Sequence, residues 1–187
     1  MKIAITGHTA GIGKTFAEIL KNRGHEIIGI SRSEGENIHR TNHVIGIIEP
    51  CDFFINNAQS LYAQTQLLYG VWKKWQGQKN KFIWNISTQM AQQPINSLPK
   101  DQDDITMSEY RNQKIALEDA SQQLRWKNYW PVISVIRPGA VATEHNKEEN
   151  RADVHEWVNF IIDIFSKNPK LKIEEISVGP SKYDFKI

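Results

Sequence analysis

Gly7, Gly11 and Gly13 lie between a short apolar segment and a segment with helical periodicity, an arrangement that binds phosphate groups. The stretch "ITGHTAGIGKT" nearly matches a P-loop, which needs glycine, four residues and then Gly-Lys-Ser/Thr. Counting back from Gly13 places His8 where the first glycine of a P-loop should be. The observed spacing instead fits the turn of a dinucleotide-binding βαβ unit, in which the start of the helix faces a pyrophosphate. An ordinary glycine-rich turn is the alternative.

Arg32 follows the second apolar segment, in "GISRSEG", at a position that bears on the type of dinucleotide. An acidic residue there would hydrogen-bond a free ribose 2′-hydroxyl, whereas an arginine can pair with a 2′-phosphate. No acid stands at or before Arg32 in this stretch. We therefore expect NADP(H) as the cofactor, with NAD(H) as a second option and a solvated loop arginine as the alternative interpretation.

Tyr110 and Lys114 are four residues apart in a segment that opens with the capping-box spacing "TMSE" and is helical to about residue 127. Residues four apart share a helix face. The ammonium of Lys114 should therefore lower the pKa of Tyr110 towards the range of an acid/base catalyst. Tyr69 and Lys73 repeat the spacing, and we expect Tyr69 to be a packing or surface residue.

Strands alternate with helices along the chain. The apolar patterns predict strands at 2–6, 25–31, 52–56, 81–87, 131–136 and 172–178, with a very short one at Asn37-Ile38, and helices at 13–23, 41–48, 61–76, 106–127 and 152–166. This alternation is typical of the three-layer α/β Rossmann fold with a doubly wound parallel sheet. A length of 187 residues fits a single domain spanning 1–187.

The composition limits the possible binding partners of the protein and its cellular compartment. The formal charge is +2 with both signs interspersed, which gives no case for nucleic acid as the main partner. Cys51 is the only cysteine, so intrachain disulfides are excluded and a reducing compartment is favoured. No apolar run approaches membrane-spanning length, and "MKIAIT" runs directly into a strand. We expect a cytoplasmic protein without a membrane partner.

Five motifs, in order, resemble the short-chain dehydrogenase/reductase family and cover about residues 1 to 145. They are Thr6-Gly7-x-x-x-Gly11-x-Gly13, "NNA" at 56–58, "NIST" at 85–88, Tyr110-x-x-x-Lys114 and "RPGAVAT" at 137–143. The resemblance implies an NADP(H)-dependent oxidoreductase that transfers hydride between the nicotinamide and a small carbonyl or alcohol substrate.

The same resemblance assigns catalytic roles. Tyr110 would protonate the carbonyl oxygen as hydride arrives, and Lys114 would bind the ribose hydroxyls. A hydroxyl at the end of the fifth strand would hold the substrate oxygen. That hydroxyl is Thr88, with Ser87 one place earlier, and only one of the two should face the cofactor because side chains alternate along a strand. A strand-end cap is the alternative role for Thr88.

By the same resemblance, a larger set of residues would bind the cofactor. Asn37 stands where relatives have aspartate, and Gln59 where they have glycine. The implied set is Gly7, Thr9, Gly11, Ile12, Gly13, Arg32, Asn37, Ile38, Asn57, Ala58, Gln59, Tyr110, Lys114, Pro138, Gly139, Val141 and Thr143.

The chain departs from the family pattern around the substrate. In the family, a relay asparagine that supports a water-linked proton path usually stands where this chain has Ser60. The flap after Thr143, which usually closes over the substrate, is also short, and this implies a reduced substrate-binding region. The polar stretch 89–109 could border the site or form a surface loop. A non-catalytic NADP(H)-binding sensor or scaffold is therefore the alternative function. A sugar-nucleotide-modifying enzyme is a further alternative, which the missing C-terminal substrate domain argues against.

Two other features have simpler explanations. His39 and His43 have the spacing of a metal pair, but no convergent acid or cysteine is evident and we expect no metal site. Trp72, Trp75 and Trp126 fall on two long helices, where a core role is the default. Family members commonly dimerise through those helices, so we expect a homodimer.

Overall fold

Short apolar segments separated by helices form one parallel sheet in the computed structural model, which describes residues 1–94, 104–144, 151–167 and 170–180. The strands are β1 (Lys2–Thr6), β2 (Glu26–Ile30), β3 (Phe53–Asn56), β4 (Phe82–Ile86), β5 (Val132–Pro138), the short pair β6 (Val141–Ala142) and β7 (Ala152–Asp153), and β8 (Glu175–Val178). Six of them form the sheet in the order β2-β1-β3-β4-β5-β8, and all neighbours are parallel. The strand order reverses between β1 and β3, which is the switch point of a doubly wound sheet.

Within the described residues, five α-helices cover the two faces of this sheet. They are α1 (Gly11–Asn22), α2 (Thr41–Ile48), α3 (Ala63–Trp75), α4 (Asp104–Lys127) and α5 (Val154–Ser166). Side chains alternate across each strand. Phe54 accordingly packs under α2, α3 and α4, while its neighbours Phe53 and Ile55 pack under α1 and α5. The predicted three-layer Rossmann fold is confirmed.

The structure differs from the sequence prediction in three places. Asn37 and Ile38 form a turn and not a strand; Ile38 contributes to the core from that turn without pairing to another strand. The parallel bridge between β6 and β7 was missed, because two-residue strands carry almost no periodicity. The stretch 89–109 opens with a short 3₁₀ helix, Gln89–Gln92, and ends in α4, while residues 95–103 lie outside the described ranges.

The three tryptophans on α3 and α4 differ in their exposure to solvent. Trp72 and Trp75 are buried, as expected, but Trp126 is 82% exposed and the core role predicted for it is wrong. The buried stripe of α4 runs through Leu124, and Trp126 lies two residues, about 200° of helical rotation, away from it. Tyr69 is 37% exposed, in agreement with a surface role.

Within the described ranges, the helices are too short or too polar to cross a membrane.

Candidate active site

The site residues come from the carboxyl ends of parallel strands, which meet at one edge of the sheet. Gly7 follows β1, Arg32 lies just beyond β2, Asn57 follows β3 and Thr88 lies just beyond β4. Ligands of doubly wound sheets bind at this edge, near the switch point. The edge therefore brings together residues that are far apart in the chain.

The glycine-rich turn between β1 and α1 has the geometry that its spacing predicts. Gly7 and Gly11 have φ angles of 72° and 52°, which side chains rarely adopt. A Cβ atom on Gly13 would overlap the carbonyl oxygen of Gly7, so helix and turn approach as closely as backbone allows. Ala10 is the N-cap of α1 and offers no capping oxygen to the first amides. Those amides remain suited to an anionic oxygen.

Thr6 and Asn57 join the ends of β1 and β3. The Thr6 hydroxyl oxygen accepts hydrogen bonds from the backbone N–H groups of Asn57 at 2.9 Å and Ala58 at 3.0 Å. The Asn57 side chain donates in return to the Thr6 carbonyl oxygen at 3.0 Å. These bonds fix the two loops that flank the switch point.

A cleft of about 280 Å³ opens beside the glycine-rich turn. Six of the residues assigned to the cofactor line it, namely Gly7, Arg32, Asn37, Ile38, Ala58 and Gln59. Ile38 is buried, while the Arg32 side chain is exposed at the rim. The cleft thus combines an apolar floor with a cation, as a nucleoside bearing a phosphate requires.

A cluster of three hydroxyl groups includes both chain neighbours of Arg32. Thr9 and Ser31 share a hydrogen bond of 2.8 Å between their side-chain oxygens, and Ser33 lies 2.9 Å from Ser31 and 3.2 Å from Thr9. Hydroxyls and a guanidinium are donors for a phosphate. The nearby carboxylate of Glu36 is engaged by His43 at 2.9 Å.

Tyr110, Thr88 and Lys114 come together across the loop after β4. The Tyr110 hydroxyl hydrogen-bonds to Thr88. The Lys114 ammonium lies 5.5 Å from the centre of the Tyr110 ring. Thr88 also accepts a bond from the Met90 backbone N–H at 3.3 Å, so it caps the 3₁₀ helix as well as facing the tyrosine.

Lys114 is only 3% exposed, and its ammonium is held by two acceptors. It donates to the Gln64 side-chain oxygen at 2.8 Å and to the Ile86 carbonyl oxygen at 2.9 Å. Burial lowers the pKa of Lys114 to about 7, and the carboxylate of Glu118 opposes this effect. An ammonium has three donors, so the two bonds described leave one N–H for a further acceptor.

The expected direction of the Tyr110 pKa shift is wrong in this structure. Burial raises the pKa of Tyr110, and the hydrogen bond with Thr88 only partly offsets it. The lysine ammonium lies towards the face of the ring and is itself bound to Gln64 and Ile86.

Ser87 points away from Tyr110. Its hydroxyl donates to Glu118 at 2.5 Å, and Arg137 holds the same carboxylate with bonds of 2.9 and 2.8 Å. Arg137 also bonds Glu175 at 2.7 Å. Ser87 therefore belongs to a partly buried ionic cluster behind Lys114, and among the described contacts it is Thr88 that bonds the tyrosine.

Ser60, at the position of the relay residue, shares a hydrogen bond of 2.8 Å with the His39 ring at the rim of the cleft. Gln64 contacts Lys114 instead, and the sequence interpretation missed it. The available signal was a glutamine at a core position of α3, in the stripe that continues with Leu67, Leu68 and Val71.

The segment after β5 reaches the start of α1. Gly139 donates its backbone N–H to the Val178 carbonyl oxygen at 2.8 Å, and Val141 is buried. A Cβ atom on Gly11 would lie 3.4 Å from the Thr143 methyl group. Beyond Thr143, Glu144 and Lys14 form an ion pair of 2.5 Å. The segment of Pro138, Gly139, Val141 and Thr143 thus borders the glycine-rich turn.

The fold is widespread among solved structures, although no protein-family model and no curated protein sequence matches the chain. The 3-alpha-hydroxysteroid dehydrogenase from Pseudomonas sp. B-0831, complexed with NADH, superimposes with a TM-score of 0.72 at 18% identity, covering 95% of each chain. An alcohol dehydrogenase from the archaeon Thermococcus sibiricus, complexed with 5-hydroxy-NADP, gives 0.73 at 13% identity over 100% of this chain and 99% of that one.

A short-chain dehydrogenase from Sphingobium yanoikuyae, in complex with NADPH, gives a TM-score of 0.70 at 19% identity, covering 94% of this chain and 87% of that one. The chain has the short-chain dehydrogenase/reductase fold. Within this fold, the described residues of the candidate site occupy the carboxyl edge of the sheet. The fold agrees with the resemblance seen in the sequence motifs.

Proposed function

We propose that the protein is an NADP(H)-dependent oxidoreductase that interconverts a small carbonyl compound and its alcohol. The observation that carries the proposal is the Tyr110 hydroxyl bound to Thr88, with the Lys114 ammonium beside the same ring. Two hydroxyls and a cation at one strand end form a set of donors for a developing oxyanion. The glycine-rich turn at the same sheet edge supports a dinucleotide partner.

The chain's own residues would handle the proton and the oxygen. A bound reduced nicotinamide would supply the hydride. The Thr88 hydroxyl would hold the substrate carbonyl oxygen, and Tyr110 would donate its phenolic proton to that oxygen, giving the alcohol. Its raised pKa keeps Tyr110 protonated at neutral pH, which suits the direction of carbonyl reduction. The remaining N–H of Lys114 would bind a ribose hydroxyl.

The residues of the cleft fit NADP(H) better than NAD(H). Arg32 and the hydroxyls of Thr9, Ser31 and Ser33 present donors for a 2′-phosphate. Structures with the same fold were solved with NADH, with 5-hydroxy-NADP and with NADPH. In the proposal, Asn57, Ala58 and the segment of Pro138, Gly139, Val141 and Thr143 complete the cofactor site.

We also propose a homodimer that acts in the cytoplasm. Helices α3 and α4 pack side by side on one face of the sheet, and each exposes an aromatic residue, Tyr69 and Trp126. Aromatic residues on such a face are suited to a protein interface. Light scattering coupled to size-exclusion chromatography measures the mass directly; a monomer of 21.6 kDa at all concentrations would contradict the dimer.

Two linked measurements test the function. Energy transfer from tryptophan to reduced nicotinamide first gives the dissociation constants of NADPH and NADH. NADPH consumption is then followed with a panel of small aldehydes and ketones, using wild type, Tyr110→Phe and the control Tyr69→Phe. We expect saturable NADPH binding by all three proteins and turnover by wild type and the control. Tyr110→Phe should lose about 100-fold or more in kcat, because it lacks the acid.

The outcomes separate the alternatives. NADPH binding without turnover of any carbonyl would replace the proposed enzyme with a non-catalytic NADP(H)-binding sensor or scaffold. Equal turnover by Tyr110→Phe and wild type would remove Tyr110 from the chemistry. Failure to bind either nucleotide would overturn both functions.

A further inference from the structure

Gln64 is tied to two strand ends by both its side chain and its backbone. Its side-chain N–H donates to the Asn56 carbonyl oxygen at 2.8 Å and to the Ile86 carbonyl oxygen at 3.3 Å. In return, the Asn56 side chain donates to the Gln64 backbone oxygen at 2.9 Å. Gln64 is 3% exposed. Its side-chain oxygen is therefore held in a single direction, towards Lys114.

A second row of buried amides supports this arrangement. The Asn56 side chain also donates to Asn85 at 2.9 Å, and Asn85 donates to the Ser121 hydroxyl at 3.0 Å. Ser121 in turn donates to the Leu117 carbonyl oxygen within α4 at 2.7 Å. The network connects α4, which carries Lys114, with β3 and β4, the strands that precede Asn57 and Thr88. These bonds restrain the buried side chains of Asn56, Asn85 and Ser121, although the Asn56 side-chain oxygen has no hydrogen-bond partner among the described residues.

We infer that Gln64 is the positioning residue for Lys114, fixing the ammonium through its side-chain oxygen so that the third N–H remains directed at the ligand. This inference rests on the proposed function. Two acceptors, Gln64 and the Ile86 carbonyl, hold the ammonium from α3 and β4. A flexible lysine would need to lose rotamer freedom on each turnover, whereas this one is ordered beforehand.

Ser60 falls at the position of the family's relay asparagine, but the residue that contacts Lys114 is Gln64. Ser60 is bonded to His39 at the rim of the cleft, whereas Gln64 touches the ammonium at 2.8 Å. The two positions are four residues apart in the chain, with Ser60 in the loop before α3 and Gln64 within α3.

The charges around Lys114 allow the inference to be tested by measuring the pH at which this lysine titrates. On α4, the titratable groups that face it are Glu118 and Tyr110, while the contacts described from α3 and β4 are uncharged. A carbonyl oxygen stabilises the protonated amine, a carboxylate stabilises it more and an alkyl group does not. The pH at which Lys114 titrates should consequently rise in the order Gln64→Leu, wild type, Gln64→Glu.

The experiment compares Gln64→Leu, Gln64→Glu and the control Gln66→Leu, which carries the same change on the exposed face of α3. Lysine side chains labelled with ¹³C at the ε position give the titration of Lys114 without any substrate, with Lys114→Met for assignment. We expect the order given above, and an unchanged titration in Gln66→Leu. In turnover assays, Gln64→Leu should lose about 10- to 100-fold in kcat with little change in carbonyl KM. Gln64→Glu should recover much of that loss.

The NMR titration distinguishes a failure of this inference from a failure of the proposed function. If no carbonyl is reduced but the titration order holds, Gln64 positions Lys114 and the reductase is wrong. If turnover is found and Lys114 titrates identically in Gln64→Leu and Gln64→Glu, the positioning role is overturned. Should Gln64→Leu not fold, Gln64→Glu decides alone: a titration equal to that of wild type would contradict the inference.

Discussion

Gly13 on α1 lies directly against the carbonyl oxygen of Gly7, so that the first turn of the helix and the preceding loop are packed backbone to backbone. A Cβ atom at Gly13 would overlap this oxygen and would also collide with the side-chain nitrogen of Asn57. Asn57 in turn binds the Thr6 carbonyl oxygen. One small residue thus keeps the ends of β1 and β3 and the start of α1 together.

Gly13→Ala should therefore destabilise the protein, whereas Gly46→Ala should not. The alanine at 13 forces the loop apart, at a cost of about 2 kcal/mol or more in the free energy of unfolding. Gly46 lies in α2 with open space around it, and alanine there should stabilise by roughly 0.5–1 kcal/mol. Urea denaturation measures both. Equal effects of the two substitutions would show that the close approach is not needed.

Arg32→Ala should weaken NADPH binding selectively. The loss of a guanidinium from a 2′-phosphate should raise the dissociation constant of NADPH about 10- to 100-fold, while that of NADH should change little. Arg40→Ala, an exposed arginine outside the cleft, is the matched control. Fluorescence titration at two salt concentrations also tests the ionic character, since added salt should weaken NADPH binding to wild type more than to Arg32→Ala. Equal losses of affinity for NADPH and NADH would argue that Arg32 does not bind the 2′-phosphate.

The strand ends and the glycine-rich turn could be predicted because their signals are local. A strand, a glycine spacing and the start of a helix are encoded within a few neighbouring residues, and Tyr110 and Lys114 are neighbours on one helix. The expectations for Thr88 and for the cleft residues rested on the family resemblance. The structure places Thr88 beside Tyr110 and groups the cleft residues next to the glycine-rich turn.

The contacts made through tertiary packing could not be predicted. Gln64 meets Lys114 only after α3 and α4 pack on the same face of the sheet, and a glutamine carries no mark of that contact. The pKa of Tyr110 depends on burial, which spacing on a helix does not reveal. Ile38 illustrates the opposite error: an apolar residue followed the pattern of a strand but is buried from a turn.

Glu118→Gln should destabilise the fold through the partly buried ionic cluster behind Lys114. The substitution leaves Arg137, which is 5% exposed, with Glu175 as its described carboxylate partner. Removing one partner from a buried ion pair typically costs about 3 kcal/mol. Asp119→Asn, on the exposed side of the same helix, is the control and should be nearly neutral. A loss in Glu118→Gln no larger than that in the control would mean that Glu175 alone satisfies Arg137.

Lys114 should make the stability of the protein depend on pH above neutrality. Its pKa in the folded chain is about 7, below the ordinary lysine value of 10.5. Between these values the unfolded chain binds a proton that the folded chain does not, so this lysine makes the free energy of unfolding rise with pH from about 7 to about 10.5. The contribution is present in full above the upper value and is lost as the pH falls through 7. The slope is at most about 1.4 kcal/mol per pH unit.

Urea denaturation of wild type and Lys114→Met between pH 6 and pH 10 isolates this contribution, because other titrating groups are common to both proteins. The difference in the free energy of unfolding, wild type minus Lys114→Met, should increase with pH across that range. Lys73→Met, an exposed lysine on α3, should show the slope of wild type. A difference that is flat with pH would mean that the buried ammonium keeps its ordinary pKa, and that Gln64, Ile86 and Glu118 together offset its burial completely.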